Sequence, residues 1–189
     1  MSVPPPNVWT VRRIVRTMLP ILTVLTAIEI GSGLVLDTFE ETLLQYPSLL
    51  ILVPVTIGMG GNLGSILAAR LSTAVHLGLV SFAPTDDRLG GNAVATVLLA
   101  LTIFPLVGAG AWGIQTALAG TELGLATVVL VALTSGLVLA VLAVVVTVVT
   151  TFVAYRLRLD PDDVVIPVVT NVCDVLGVIV LFGAVRLLV

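Results

Sequence analysis

The chain has 189 residues, 58% of them hydrophobic and only 10% charged, with a mean hydropathy of +1.22, against roughly 25% charged residues in a soluble domain. That balance excludes a sizeable water-soluble domain and leaves room for about five or six membrane spans of about 20 apolar residues each. The net charge of −3, with all eight cations arginine, offers no basic face to neutralise phosphates and excludes a nucleic-acid partner.

Residues 1–16 carry prolines, Trp9 and three arginines, Arg12, Arg13 and Arg16. They lack the short apolar core and small-residue cleavage site of a signal peptide, so the segment is expected to stay cytoplasmic and the first helix to be retained. The first apolar run, 17–36, contains Pro20 and, toward its far end, Glu29, Gly31 and Gly33. An acidic stretch follows with Asp37, Glu40 and Glu41, either a cation-attracting mouth or a solvated loop. A second run, 48–69, is interrupted by Pro54 and by Gly58, Gly60, Gly61, Asn62 and Gly64. Small residues at that density permit close helix approach or a locally irregular backbone lining a wet cavity.

Residues 70–90 are mixed and predict a connector with a short amphipathic helix over 71–82, bounded by Pro84, Asp86, Asp87 and Arg88. The third span is expected at 91–113 and a polar turn at 115–122. A valine-rich fourth span at 123–155 and a charged loop at 156–163 follow. The fifth span, 163–188, is almost wholly apolar apart from Asp174 near its middle. A lone carboxylate at that depth costs at least a few kcal/mol unless it faces water, an ion or a partner, which makes Asp174 a functional residue by default. The bland alternative is a protonated acid bonded to a neighbouring helix.

Arg70 and Arg88 flank the second connection and Arg156 and Arg158 the fourth, whereas the first and third contain no arginine. Five spans under the positive-inside rule then place the N terminus in the cytoplasm and the C terminus outside, in the plasma membrane. An internal echo joins residues 53–64 to 166–177: both run from a proline to a glycine, with Asn62 and Asp174 at nearly matching positions. Paired interrupted spans mark the binding site in some transporters; coincidence in a chain of small vocabulary is the other explanation.

The segment Phe39-Glu40-Glu41-Thr42-Leu43, followed by Pro54-Val55-Thr56-Ile57-Gly58-Met59-Gly60-Gly61-Asn62-Leu63-Gly64, resembles the transmembrane domain of the MgtE family of magnesium channels and transporters. Pro167-Val168-Val169-Thr170-Asn171-Val172-Cys173-Asp174-Val175-Leu176-Gly177 is similar to the family's pattern in its last span. The resemblance implies an all-α protein of five transmembrane helices over 17–189, dimeric, with the ion path between subunits. It extends to the transmembrane domain alone, so sensing through the cytoplasmic regulatory domains of longer bacterial members is not expected. A glutamine that usually closes the glycine-asparagine motif is replaced by Ile66.

Mg²⁺ holds its waters tightly and prefers octahedral oxygen coordination, so a membrane site is expected to recognise a largely hydrated ion with one or two carboxylates and several carbonyls. Asp174 supplies the charge in this reading. Asn62 and the backbone at Gly58 and Gly61 shape the passage, and Thr170, one turn before Asp174, shares its face. Thr170 is as readily explained by a hydroxyl bonded back into its own helix. Glu29 and Glu41 are candidates for the ion path, with Glu29 alternatively a proton-coupling group or an acid reaching the interface. Pro54, Gly64, Pro167 and Gly177 are expected to shape the helices. His76 has no second histidine or cysteine at ligand spacing, and Cys173 and Trp112 read as packing and interface residues.

Nucleophile, phosphate-cradle and redox signatures are missing, so an enzyme is not expected, and no cofactor beyond Mg²⁺ as the transported ion. The expected function is divalent-cation transport. Two alternatives stay open: a proton- or sodium-coupled exchanger using Glu29, and a non-conducting subunit that pairs with a related chain.

Overall fold

The structure, a computed structural model, describes residues 10–83 and 86–189. It contains six helices among these residues and no strand: α1 Val11–Asp37, α2 Glu40–Gln45, α3 Pro47–His76, α4 Asp87–Leu118, α5 Leu125–Arg156 and α6 Pro161–Leu188. All but α2 are long and apolar enough to cross a membrane. The number of spans matches the sequence expectation; Trp9 and Pro84 lie outside the described residues.

Several boundaries differ from those expected, each for a local reason. Residues 71–82 do not form a separate helix. Nothing between Arg70 and His76 breaks the α3 ladder, so it runs on until Gly78 takes a left-handed φ of 65°. The Gly78 amide then bonds the Val75 carbonyl at 2.9 Å and the Leu79 amide the Ala74 carbonyl at 2.8 Å, a glycine-terminated stop that satisfies the last carbonyls. The acidic stretch is likewise not a plain loop: Glu40 and Glu41 open α2, where carboxylates complement the helix dipole. α4 starts earlier than expected, capped by Asp86, whose side chain accepts from the Arg88 and Leu89 amides. α6 begins with Asp160 as cap and Pro161 in the first turn, the arrangement that a fixed φ and a missing amide favour.

Packing is organised by small residues, as expected where lipid supplies no hydrophobic drive between helices. α4 and α5 form an antiparallel hairpin, with Gly136 against the ring of Phe104 and Gly108 against the α5 backbone at Val128 and Val129. α3 and α5 meet at Gly60 and Leu139 and at Gly64 and Ala143, and the Thr147 hydroxyl reaches the Gly64 carbonyl at 3.5 Å. α6 packs against both, burying Val165, Val169, Cys173 and Leu181. The predicted packing role of Cys173 holds: it is fully buried beside Gly64.

α1 stands apart, with α6 its only extensive neighbour among the described residues. Its least exposed residues, Met18, Ile21, Leu25, Glu29, Ser32 and Leu36, recur every three or four positions and form the stripe turned inward. At the acidic end, Phe39 stacks on Phe182 with ring centroids 3.8 Å apart and Arg186 sits over Phe39. At the opposite end, the Ser72 hydroxyl donates to Asp162 at 2.5 Å and His76 lies 3.7 Å from Asp160. These contacts tie the end of α3 to the start of α6 and bring exposed His76 together with Asp160 and Asp162, their ligand atoms within 4.8 Å of one another, a grouping that the sequence spacing of His76 does not reveal.

Candidate functional site

α3 and α6 run antiparallel, and the two echoed segments lie directly against one another. Gly177 abuts the Ile57 backbone, Gly61 faces Thr170 and Asp174, and Gly64 faces Val169 and Cys173. Both helices continue unbroken through their prolines, Pro54 and Pro167. Gly60, Gly61 and Gly64 therefore serve close approach. An irregular backbone, the other arrangement the cluster's composition allowed, is not what forms: Gly58, Gly60, Gly61 and Gly64 are all helical.

Asp174 sits at the midpoint of α6, roughly 20 Å of helix from either end. Its Oδ1 is directed at Gly61 so closely that a Cβ built there would lie 2.7 Å away. The same oxygen is buried and has no hydrogen-bond partner among the described residues. An orphaned acceptor of this kind is costly and calls for a ligand or a function.

Three further polar residues belong to α6 and to α1, which packs against it. Thr170 contributes its methyl to the Gly61 contact, while its hydroxyl donates to the Ile166 carbonyl at 2.9 Å, so the back-bonded alternative describes that hydroxyl. Glu29 is half-buried on the inward stripe of α1, the helix that packs against α6. Asn171, which the sequence reading did not single out, has a second buried and unpartnered oxygen, Oδ1, while its Nδ2 donates to the Pro167 carbonyl at 3.3 Å. Its signal was available in the spacing: residues three apart on a helix share a face.

Other candidates are not brought to Asp174. Asn62 and Gly58 lie on an exposed stripe of α3 with Val55, Ile66, Ala69 and Thr73, a face left uncovered among the described residues. Ile66 is 54% exposed on that stripe. Glu41 is exposed on α2, near the acidic end of the bundle. A groove there, of about 350 Å³, is lined by Gly33, Leu36, Asp37 and Glu40, and Asp174 does not line it.

A bundle of five membrane-length helices, one of them carrying an unpartnered carboxylate oxygen at its midpoint, defines a multi-pass membrane protein. That acceptor suits a cation. A model of the MgtE family, described as divalent cation transporter, matches residues 53–184. That range is well over half of the chain and holds both glycine-rich motif and acidic span. The chain belongs to the MgtE family of divalent cation transporters, a transporter family and not an enzyme family.

Proposed function

We propose that residues 17–189 form one transport unit, that two such units assemble in the plasma membrane, and that divalent cations, Mg²⁺ foremost, pass between them down their electrochemical gradient into the cell. The observation that carries this reading is the orphaned Oδ1 of Asp174 seated on Gly61 at the middle of α6. A hydrated Mg²⁺ presents only hydrogen-bond donors outward, and a carboxylate supplies both the charge and the acceptors that such an ion needs. The exposed stripe of α3 supports the second unit. Gly58 has nothing within 4 Å of a built Cβ, so its lack of a side chain serves no contact inside the chain and suits close approach by a partner. Asn62 on that stripe would then line the shared passage. The arginine distribution supports a cytoplasmic N terminus and an external C terminus.

The test is Asp174→Ala and Asp174→Asn in growth rescue of a magnesium-transport-deficient cell and in liposome flux with a panel of divalent ions. Both variants are expected to abolish rescue and Mg²⁺ flux. Flux at the level of the unaltered protein would remove Asp174 from the path.

A second reading is favoured by one observation, the half-burial of Glu29 on the face of α1 turned toward α6. Acids on two helices that pack together suit a proton- or sodium-coupled exchanger. Mg²⁺ flux that responds to an imposed pH or Na⁺ gradient, and loses that response in Glu29→Gln, would select it over passive conduction.

A further inference from the structure

We propose that Asn171 is a second recognition group for the cation, reading its hydration shell through the amide oxygen; this rests on the assignment of Asp174 to the ion path. The amide orientation follows from its surroundings. Nδ2 donates to the Pro167 carbonyl at 3.3 Å, and the flipped amide would set oxygen against oxygen. Oδ1 is thereby fixed on the other side, buried and unpartnered. Asp174 follows three residues later on the same face and also carries a buried unpartnered oxygen.

Among the described residues, these two oxygens are joined as buried orphans only by the hydroxyls of Ser48 and Thr56 on α3. A hydroxyl can rotate to donate or accept, whereas an amide oxygen and an ionised carboxylate only accept. Two buried acceptors, one helical turn apart on α6, are therefore left wanting donors, and a divalent cation wrapped in water is a sphere of outward-pointing O–H donors. The neutral member adds an acceptor without adding charge, which lets binding stay weak enough for release, as conduction requires.

Cobalt(III) hexaammine tests this, because its ammine ligands do not exchange and it mimics a hydrated cation that presents donors only. In liposomes holding the full chain, the complex is expected to block Mg²⁺ flux. Asn171→Leu is expected to raise the blocking concentration and the Mg²⁺ KM by about tenfold, the size of one hydrogen bond to a charged group. Asn171→Asp keeps the acceptor, adds charge and loses the donor to Pro167, so it is expected to tighten the block. A role limited to the Pro167 contact would move both variants in the same direction, and that result overturns the proposal. Where leucine fails to fold by thermal unfolding in detergent, Asn171→Thr serves. Its hydroxyl can return to the Pro167 carbonyl as that of Thr170 does to Ile166, and a block as tight as in the unaltered protein likewise overturns the proposal. Asp174→Asn separates the two levels. If it leaves flux intact, the underlying ion path is wrong; if it abolishes flux while Asn171→Leu changes neither KM nor block, only the role of Asn171 fails.

Discussion

Gly61 and Asp174 fit together so closely that the glycine's missing side chain is what gives the carboxylate its place. A Cβ at position 61 would stand 2.7 Å from Asp174 Oδ1 and 3.2 Å from the Thr170 methyl. The oxygen is the end of a rotatable side chain, so it can swing aside at little cost to the α3–α6 packing. Gly61→Ala is therefore expected to fold with a stability change under about 1 kcal/mol, yet to turn the carboxylate away from its station. Mg²⁺ flux in liposomes should fall roughly tenfold, a loss equivalent to about 1.4 kcal/mol. Full flux with an unchanged thermal unfolding curve would show that the aim of Asp174 does not matter.

Gly58 lies one helical turn away and behaves in the opposite way. It is exposed, with open space around it within the chain. Gly58→Leu should therefore leave the fold of a single chain undisturbed while obstructing close approach by a second one. The expected result is a loss of the dimeric fraction in cross-linking or light scattering in mild detergent, accompanied by loss of flux. A dimer that persists at the same fraction would move the subunit contact off this stripe of α3.

The five spans were legible because apolar length and flanking charge are additive signals along the chain. The pairing of α3 with α6 was only faintly so. The echo between residues 53–64 and 166–177 placed Asn62 and Asp174 at nearly matching positions, one residue out of step, and helical phase decides which neighbour faces inward. Gly61 meets the carboxylate, and Asn62, about 100° farther round, is exposed on the outer stripe. Asn171 went unread because its one sequence signal, the three-residue spacing to Asp174, does not say which of its atoms is free. The amide hydrogen bond to Pro167 fixes that. The short helix α2 was hidden by its charges, since Glu40 and Glu41 suit a solvated loop and the first turn of a helix equally well.

Gly108 tests the packing of the α4–α5 hairpin separately from the ion site. A Cβ there would meet the Val129 Cα at 2.8 Å, the Ala132 Cβ at 2.9 Å and the Val128 carbonyl oxygen at 3.1 Å. Backbone cannot swing aside as a carboxylate does, so the helices must separate. Gly108→Ala is expected to destabilise the protein by about 1–3 kcal/mol, the usual cost of overpacking. Reversible unfolding in mixed micelles measures it, and a change below about 0.5 kcal/mol would show that the hairpin yields without strain.

Outside the membrane spans, Asp86 gives the connection between α3 and α4 a defined pH response. Its carboxyl accepts from the Ser81 amide at 2.8 Å, from the Ser81 hydroxyl at 3.0 Å and, as helix cap, from the Arg88 and Leu89 amides. These bonds, the Ser81 amide foremost, hold the carboxyl below its ordinary value of 3.8. A group that is more acidic when folded than when unfolded contributes its stability above the ordinary value and loses it as pH falls through the folded value. Amide exchange at Arg88 and Leu89 should therefore stay slow, relative to the intrinsic rate, at neutral pH and lose protection only on acidification below about 4. Asp86→Asn retains an oxygen for capping but no titratable group, so its protection should not change over that range. If the aspartate and asparagine forms lose protection together on acidification, the cap is not the element that titrates.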